Sequence, residues 1–523
     1  MGAHAIARTS SAALIGAVLI LASIAAAAAS DGRMTTQLAN PSQPEIGPPE
    51  LAGIDDLVTN EMAAIGIPGL AVAVVDDGAV VYAKGFGIAD DSGRPVTADS
   101  PFIIGSLSKS FTAMAAMQLV ESGRIDLDAR VQQYLPWFTD ADRAASAQIT
   151  VRDLLNQTSG LDRRTGDDVE RFGAGGDALE GNVRALANFA PTAAVGTTFQ
   201  YSNANYQVLG LIVAAVAGQS YGDYVQQHIF SPLEMTHSFT ALAPAKAAGL
   251  VAGYRTTLVG GTSAAMDWPY LDGEVPSGYL ISSAGDMAHA LIAHLDAGRY
   301  RDATLLTKSS VDELHTPPSD VPGTSYAMGW LTEQLVGRDA LTHSGSTPGY
   351  MSSMTIVPDL RLGVVVLTNR HSLSDGSRIA ALADGVVATM LGGPWSPPRA
   401  DGLFQAVRAI LAAIAAWLVI SLVAALRLLR RPFVRRWAQV AAIAVLGLVD
   451  VVVAVFCFLV FPAINDAALR ITFMYMPDVV IVDLALGAIA VFEGVVLSAL
   501  LLQGLVSARR PQVPVARIAE HAA

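Results

Sequence analysis

Gly105-Ser106-Leu107-Ser108-Lys109-Ser110-Phe111-Thr112 is the stretch on which the reading of this chain turns. Lysine is rare here: Lys84, Lys109, Lys246 and Lys308 are the four among 33 basic residues, and arginine supplies the other 29. Arginine therefore serves wherever a plain positive charge suffices. Lys109 differs in kind, because a desolvated amine can give up its proton and a guanidinium cannot. A serine three residues before a lysine on a helix projects from the same face. That is the arrangement in which a neutral amine takes a proton from a serine hydroxyl. Ser-x-x-Lys alone is a weak signal, since serine is common and four lysines offer several chances of a match. Its surroundings must decide.

The chain as a whole is too apolar for one water-soluble domain: 52% of its 523 residues are apolar and 15% charged. The excess sits in the first 30 residues and after residue 402. Residues 1–30 read as an export signal, with Arg8 before an apolar run from Ala12 to Ile24 and small residues up to Ala29 and Ser30. Segments 410–426, 440–461 and 479–502 are each long enough to span a bilayer. Arg427, Arg430, Arg431, Arg435 and Arg436 separate the first two, and Arg509 and Arg510 follow the third. Because arginine-rich loops stay in the cytoplasm, residues 31–402 are expected on the exported side, in agreement with the signal. The single cysteine, Cys457, falls inside the second span, so no intrachain disulfide can form. The net charge of −13 makes the exported part acidic and argues against nucleic acid or an anionic lipid surface as its partner.

Proline-rich stretches at 31–50 and 393–402 read as linkers around a domain at 51–392, followed by three membrane helices within 403–510 and a cytoplasmic tail at 511–523. The domain opens on two strand-like runs, 70–75 and 79–85, joined at Asp77-Gly78, a strong hairpin signal. It closes on three more, 340–343, 350–357 and 362–368. Helical patterns fill the middle, near 106–122, 151–157, 205–217 and 286–297. Strands at both ends with helices between them predict an α/β domain, in which one antiparallel sheet built from distant segments packs against a helical region.

Three short motifs follow in order: Ser106-Leu107-Ser108-Lys109, Tyr201-Ser202-Asn203 in a loop after Gly196, and His343-Ser344-Gly345 at a strand end. Together they resemble the serine β-lactamase and penicillin-binding family, in particular the branch holding class C β-lactamases, DD-peptidases, D-aminopeptidases and related esterases. The likeness covers roughly residues 51–391. It extends to the opening Ile67-Pro68-Gly69-Leu70, to the linking segment from Ile149 through Asn156-Gln157-Thr158-Ser159-Gly160 to Leu161, and to Pro232-Leu233-Glu234-Met235 and Met328-Gly329-Trp330. The resemblance implies a β-lactamase-like fold, with a sheet of five or more antiparallel strands flanked by helices.

It also implies roles. Ser106 would be the nucleophile that forms an acyl-enzyme. Lys109, or a deprotonated Tyr201 held by it, would accept the serine proton, and Tyr201 would pass a proton to the leaving group. Asn203 would hydrogen-bond Lys109 and the acyl-side amide of the substrate. The backbone N–H groups of Ser106 and Ser346 would make the oxyanion hole, where Gly345 permits close approach. His343 stands where β-lactamases usually carry a lysine. A histidine is only partly protonated near neutral pH, which weakens the β-lactamase reading and favours a peptidase or amidase of the D-amino-acid, DD-peptidase-like type, with an esterase or β-lactamase of the same fold as the alternative. The layout of signal, domain and three spans is also similar to that of prodrug-activating D-amino-acid peptidases. Ile281 and Asn203 depart from that group, so the same substrate preference is not expected.

The sequence calls for no cofactor and no metal, and the expected substrate is a small molecule or peptide, with a cell-wall-derived one among the options. An idle penicillin-binding sensor on the same fold is the competing class, disfavoured by the intact Ser106, Lys109, Tyr201 and Asn203. Asp450 and Glu493 fall at similar depth within their spans and could approach one another as a proton-sharing pair; the favoured alternative is protonated carboxyls bonded to neighbouring helices of a plain anchor, while Asp483 is placed nearer the outer end, facing water.

Overall fold

The structure is a computed structural model that describes residues 51–509, apart from 52, 170–174, 259, 261, 265–269, 373, 401, 430–435 and 462–472. The expected signal at 1–30, the first linker and the tail at 511–523 lie outside the described residues.

Seven antiparallel strands make the main sheet: β1 Gly69–Asp76, β2 Ala79–Gly87, β3 Tyr326–Ala327, β4 Trp330–Leu335, β5 Arg338–Thr347, β6 Tyr350–Val357 and β7 Leu362–Thr368. Their order across the sheet is β2-β1-β7-β6-β5-β4-β3, so the first strand pairs with the last, Val72 opposite Val366. The hairpin signal is realised, with positive φ at both Asp77 (46°) and Gly78 (80°), the twist a tight two-residue turn needs. Strand β5 runs further than its sequence suggests: Ser344 and Gly345 lie within it, paired with Ser353 and Ser352 of β6.

Because side chains alternate across a strand, β1 supplies two cores. Leu70, Val72 and Val74 join Val364 and Val366 on one face, under α1 (Ile54–Ile65) and α5 (Leu382–Met390). Ala71, Ala73 and Val75 join Val365 and Leu367 on the other. That second face carries the helical region: α2 (Ser108–Glu121), α3 (Asn203–Ala217) and α4 (Ala284–Leu295). Small alanines on β1 let the helices approach, and each fully buried valine or leucine adds about 1.5–3 kcal/mol. Helix α2 is buried nearly all round, which explains its lack of an amphipathic pattern.

Three further helices, α6 (Gly402–Leu429), α7 (Arg436–Val455, prolonged by a wider turn to Val460) and α8 (Pro477–Arg509), are apolar over 24, 24 and 27 residues. At about 1.5 Å per residue each exceeds the ~30 Å hydrocarbon thickness of a bilayer. Trp417 Nε1 donates to Asp450 Oδ1 (3.0 Å) and Ser421 Oγ to Asp450 Oδ2 (3.3 Å), with Glu493 beside them. Asp483, expected to face water, is instead fully buried beside Cys457, because its position on α8 turns it toward α7. The start of α8 touches the sheet domain. Asp478 accepts hydrogen bonds from Arg255 Nη1 (2.8 Å) and from the backbone N–H of Leu258, and the rings of His371 and Tyr475 lie 4.7 Å apart.

Candidate active site

The segment carrying Ser106 is a single turn of 3-10 helix, Gly105–Leu107, that runs straight into α2. Three hydrogen bonds fix it. Ser108 Oγ donates to the Gly105 carbonyl (2.7 Å) and accepts from Leu280 N–H (3.1 Å), and Ser352 Oγ donates to the Ile104 carbonyl (2.7 Å). Strand β5 packs directly on this turn. A Cβ on Gly105, whose φ is +56°, would stand 2.4 Å from Ser346 N, and one on Gly345 would stand 2.3 Å from the Ile104 carbonyl oxygen and 3.0 Å from Ser106 N. Only glycine at both positions lets two backbones come so close. The backbone nitrogens of Ser106 and Ser346 thereby stand at the contact between the turn and the strand.

One helical turn on, Lys109 is completely buried. Its Nζ lies 2.7 Å from Asn203 Oδ1, 2.6 Å from the Ser277 carbonyl oxygen and 3.2 Å from Ser106 Oγ. Three oxygens thus match the three donors of an ammonium group, which offsets the several kcal/mol that burying the charge costs. The same geometry suits the neutral amine. Asn203 Oδ1 and the Ser277 carbonyl only accept, so they engage two N–H bonds and leave the nitrogen lone pair aimed at Ser106 Oγ. The Tyr201 ring centroid is 4.8 Å from Lys109 Nζ and that of Tyr206 is 5.5 Å away.

Tyr201 and Asn203 are positioned by Gln157, which has a positive φ of 61°. Its Oε1 accepts from Ser202 N–H (3.0 Å) and Asn205 Nδ2 (2.5 Å), and its carbonyl accepts from Gln200 N–H (2.8 Å). Asn203 opens α3 instead of ending the loop before it, so its side chain is fixed by the first helical turn.

His343 is buried, with its ring 6.3 Å from that of Tyr201. Its Nδ1 is 2.7 Å from the Ser344 carbonyl oxygen. A carbonyl can only accept, so Nδ1 carries the hydrogen and Nε2 presents a lone pair. Nε2 is buried without a hydrogen-bond partner among the described residues. Burial, reinforced by the charge of Lys109, pushes this imidazole down to about 4. The expectation of a partly protonated histidine is therefore corrected: His343 is neutral at pH 7. Alternation along β5 turns Ser344 and Ser346 outward and His343 and Gly345 inward.

All seven residues anticipated from sequence, Ser106, Lys109, Tyr201, Asn203, His343, Gly345 and Ser346, thus converge on one place. The sequence reading missed the carbonyl of Ser277 and a second layer behind it. Tyr206 hydrogen-bonds the Leu155 carbonyl (3.1 Å) and Tyr326 (3.2 Å), and Tyr326 stands edge-on to both Tyr201 and His343. Glu274 lies buried beneath Ser277. One signal was present: Asn203 and Gln207 are a helical turn apart on α3, so a polar face enters the core there. Tyr270 and Tyr279 pack edge-on to each other with ring centroids 5.5 Å apart.

Comparison with known proteins identifies the family and the fold. The family described as Beta-lactamase matches residues 54–388. Protein flp of Staphylococcus aureus (strain MW2) is 29% identical over 323 residues, 61% of this chain and 63% of its own length. The match thus spans less than two thirds of that relative. Penicillin-binding protein 4 of Amycolatopsis lactamdurans is 30% identical over 313 residues, 58% of this chain and 81% of that one. The octameric penicillin-binding protein homologue from Pyrococcus abyssi superposes with a TM-score of 0.57 at 27% identity, covering 66% of this chain and 78% of that one. With its sheet, its Ser-x-x-Lys turn and a family match over most of its described length, the chain belongs to the Beta-lactamase family.

Proposed function

We propose that this protein is an exported, membrane-tethered serine hydrolase that works through an acyl-enzyme on Ser106 and cleaves amide bonds of the D-amino-acid type. The observation that carries the reading is Lys109, a fully buried lysine with Nζ 3.2 Å from Ser106 Oγ and its other two hydrogen-bonding directions taken by pure acceptors. As the substrate carbonyl meets Ser106 Oγ, the proton leaves for Lys109 or for Tyr201 acting with it. The developing oxyanion is met by the N–H groups of Ser106 and Ser346. Tyr201 returns a proton to the leaving group, and water then repeats the sequence on the acyl-enzyme.

The neutral His343 refines the substrate class. A bare imidazole nitrogen accepts a hydrogen bond and offers no fixed cation to a substrate carboxylate. This favours D-aminoacyl amides, and esters as a second class, over β-lactams and peptides ending in a carboxylate. Support for the location comes from Asp478 at the start of α8, which touches the sheet domain, whereas the arginine-rich segment joins the opposite ends of α6 and α7. The arginines belong in the cytoplasm, so the domain lies across the membrane from them.

The test is covalent labelling with a fluorophosphonate and a fluorescent penicillin, together with a hydrolysis panel of D-aminoacyl amides, D-Ala-D-Ala peptides, short esters and nitrocefin. Labelling of the wild type that vanishes in Ser106→Ala is expected. If neither probe labels the chain and no substrate turns over, the hydrolase reading fails and a binding or sensing role takes its place.

A further inference from the structure

Beneath the site lies a carboxyl group that the mechanism above does not use. Glu274 is 1% exposed and opens the turn Val275–Tyr279, whose Ser277 carbonyl receives Lys109. Its Oε1 accepts from Asn182 Nδ2 (3.0 Å) and Gln207 Nε2 (2.5 Å), and its Oε2 accepts from Ser277 Oγ (2.7 Å). Those donors come from three separate elements: the helix Ala178–Ala185, α3, and the turn itself. A buried carboxylate with three donors and a neighbouring ammonium is a costly arrangement to keep unless the charge is used.

We propose that Glu274 is a positioning residue for Lys109: its carboxylate clamps the turn that presents the Ser277 carbonyl and supplies the negative charge that governs when the amine is free to accept the Ser106 proton. This rests on the serine-hydrolase reading above. The charged and titratable groups facing the pair are Lys109 on α2, Asp167 on the helix Arg163–Val169, Tyr201 before α3, Tyr206 on α3 and His343 on β5. Lys109 is the opposite charge among them, and Asp167 opposes it. Burial pushes the Glu274 carboxyl up to about 7, against the pull of Ser277 and Lys109. The carboxylate therefore gains and loses its charge near neutral pH. Each loss of the anion favours the neutral, proton-accepting amine.

The decisive variant is Glu274→Gln. The amide keeps the shape and its oxygen still accepts from Asn182 and Gln207. Ser277 Oγ already lies 3.0 Å from the Glu274 backbone carbonyl and can donate there while accepting from the new amide nitrogen. Charge is lost with little change of packing. The readout is the second-order rate of fluorophosphonate labelling against pH for the detergent-solubilised full chain. The acid limb of the profile is expected to move to lower pH by about one unit, a tenfold change in the neutral amine. Glu274→Asp, which keeps the charge, is expected to lower the rate and leave the limb in place. A structural role alone would lower the rates and leave both limbs unmoved, so an unmoved Glu274→Gln limb overturns the inference. Should Glu274→Gln fail to fold, Gln207→Met decides. It strips one donor from the carboxylate, and a limb displaced in the same direction by a smaller amount supports the inference while an unmoved one overturns it. A wild-type chain that the probe does not label brings down the hydrolase reading itself, and this inference with it.

Discussion

Replacing Lys109 by arginine separates charge from basicity at the centre of the site. The structure sets the cost on two scales. The Lys109 cavity offers two pure acceptors, Asn203 Oδ1 and the Ser277 carbonyl, plus Ser106 Oγ, all within 3.2 Å of one nitrogen. A guanidinium brings five donors and more volume into a site without exposure. Overpacking of this kind costs about 1–3 kcal/mol, which a domain stable by roughly 5–15 kcal/mol survives. The kinetic cost is larger. Arginine cannot give up its proton, so general-base assistance, about 10²–10⁴-fold, is lost. That loss is about 3–5 kcal/mol of barrier. The assay pairs the thermal midpoint of the solubilised protein with its rate of fluorophosphonate labelling. A folded Lys109→Arg protein labelled at a rate at least a hundredfold below wild type is expected. A folded variant labelled within threefold of wild type would falsify the assignment of the amine as proton acceptor and leave Tyr201 to act alone.

Two other outcomes follow from the packing. Gly345→Ala places a methyl group 2.3 Å from both the Ile104 carbonyl oxygen and Ser352 Oγ. Strand β5 must move off the nucleophile turn, and because displacements near 1 Å cost about 10²-fold, the labelling rate should fall by about that factor in a protein that still folds; an unchanged rate would show that the Ser346 amide does not serve the reaction. His371, buried against Tyr475, is pushed down to about 4 by burial and by Arg370. Between about pH 4 and 6.5 the unfolded chain binds a proton at this residue that the folded chain does not. Its contribution is fully present above about pH 6.5 and is lost as the pH falls toward 4. Relative to His371→Asn, the wild type should therefore lose about 3 kcal/mol across that window, measured by denaturant unfolding at each pH, and a constant difference would contradict the buried, neutral histidine.

Much of this was open to reading because the decisive signals are local. Asp77-Gly78 takes the two positive φ values its residue types allow best, so the first hairpin could be placed from the sequence. The runs at 350–357 and 362–368 became strands with the same bounds, since β-branched residues bounded by turn residues specify them without help from elsewhere. Ser106 and Lys109 are one helical turn apart, and a helix brings such neighbours together whatever surrounds it. The three apolar spans depend on composition and length alone.

What escaped the sequence depends on groups brought together from far along the chain. The charge state of His343 is set by depth of burial and by Lys109, 234 positions earlier in the sequence, and no feature of residues 343–345 announces either. Asp483 is buried because of the rotation of α8 against α7, which residue counting along one helix does not supply. The Ser277 carbonyl carries no side-chain identity to recognise, and Glu274 gains meaning only once Asn182, Gln207 and Lys109 surround it. The sequence by itself determined the Ser106–Lys109 pairing, five of the seven sheet strands and the apolar spans, because backbone periodicity enforces those. Tertiary structure alone decided which donors meet the buried charges, and therefore which protonation states the site holds, because desolvation and Coulomb forces act through space and ignore chain order.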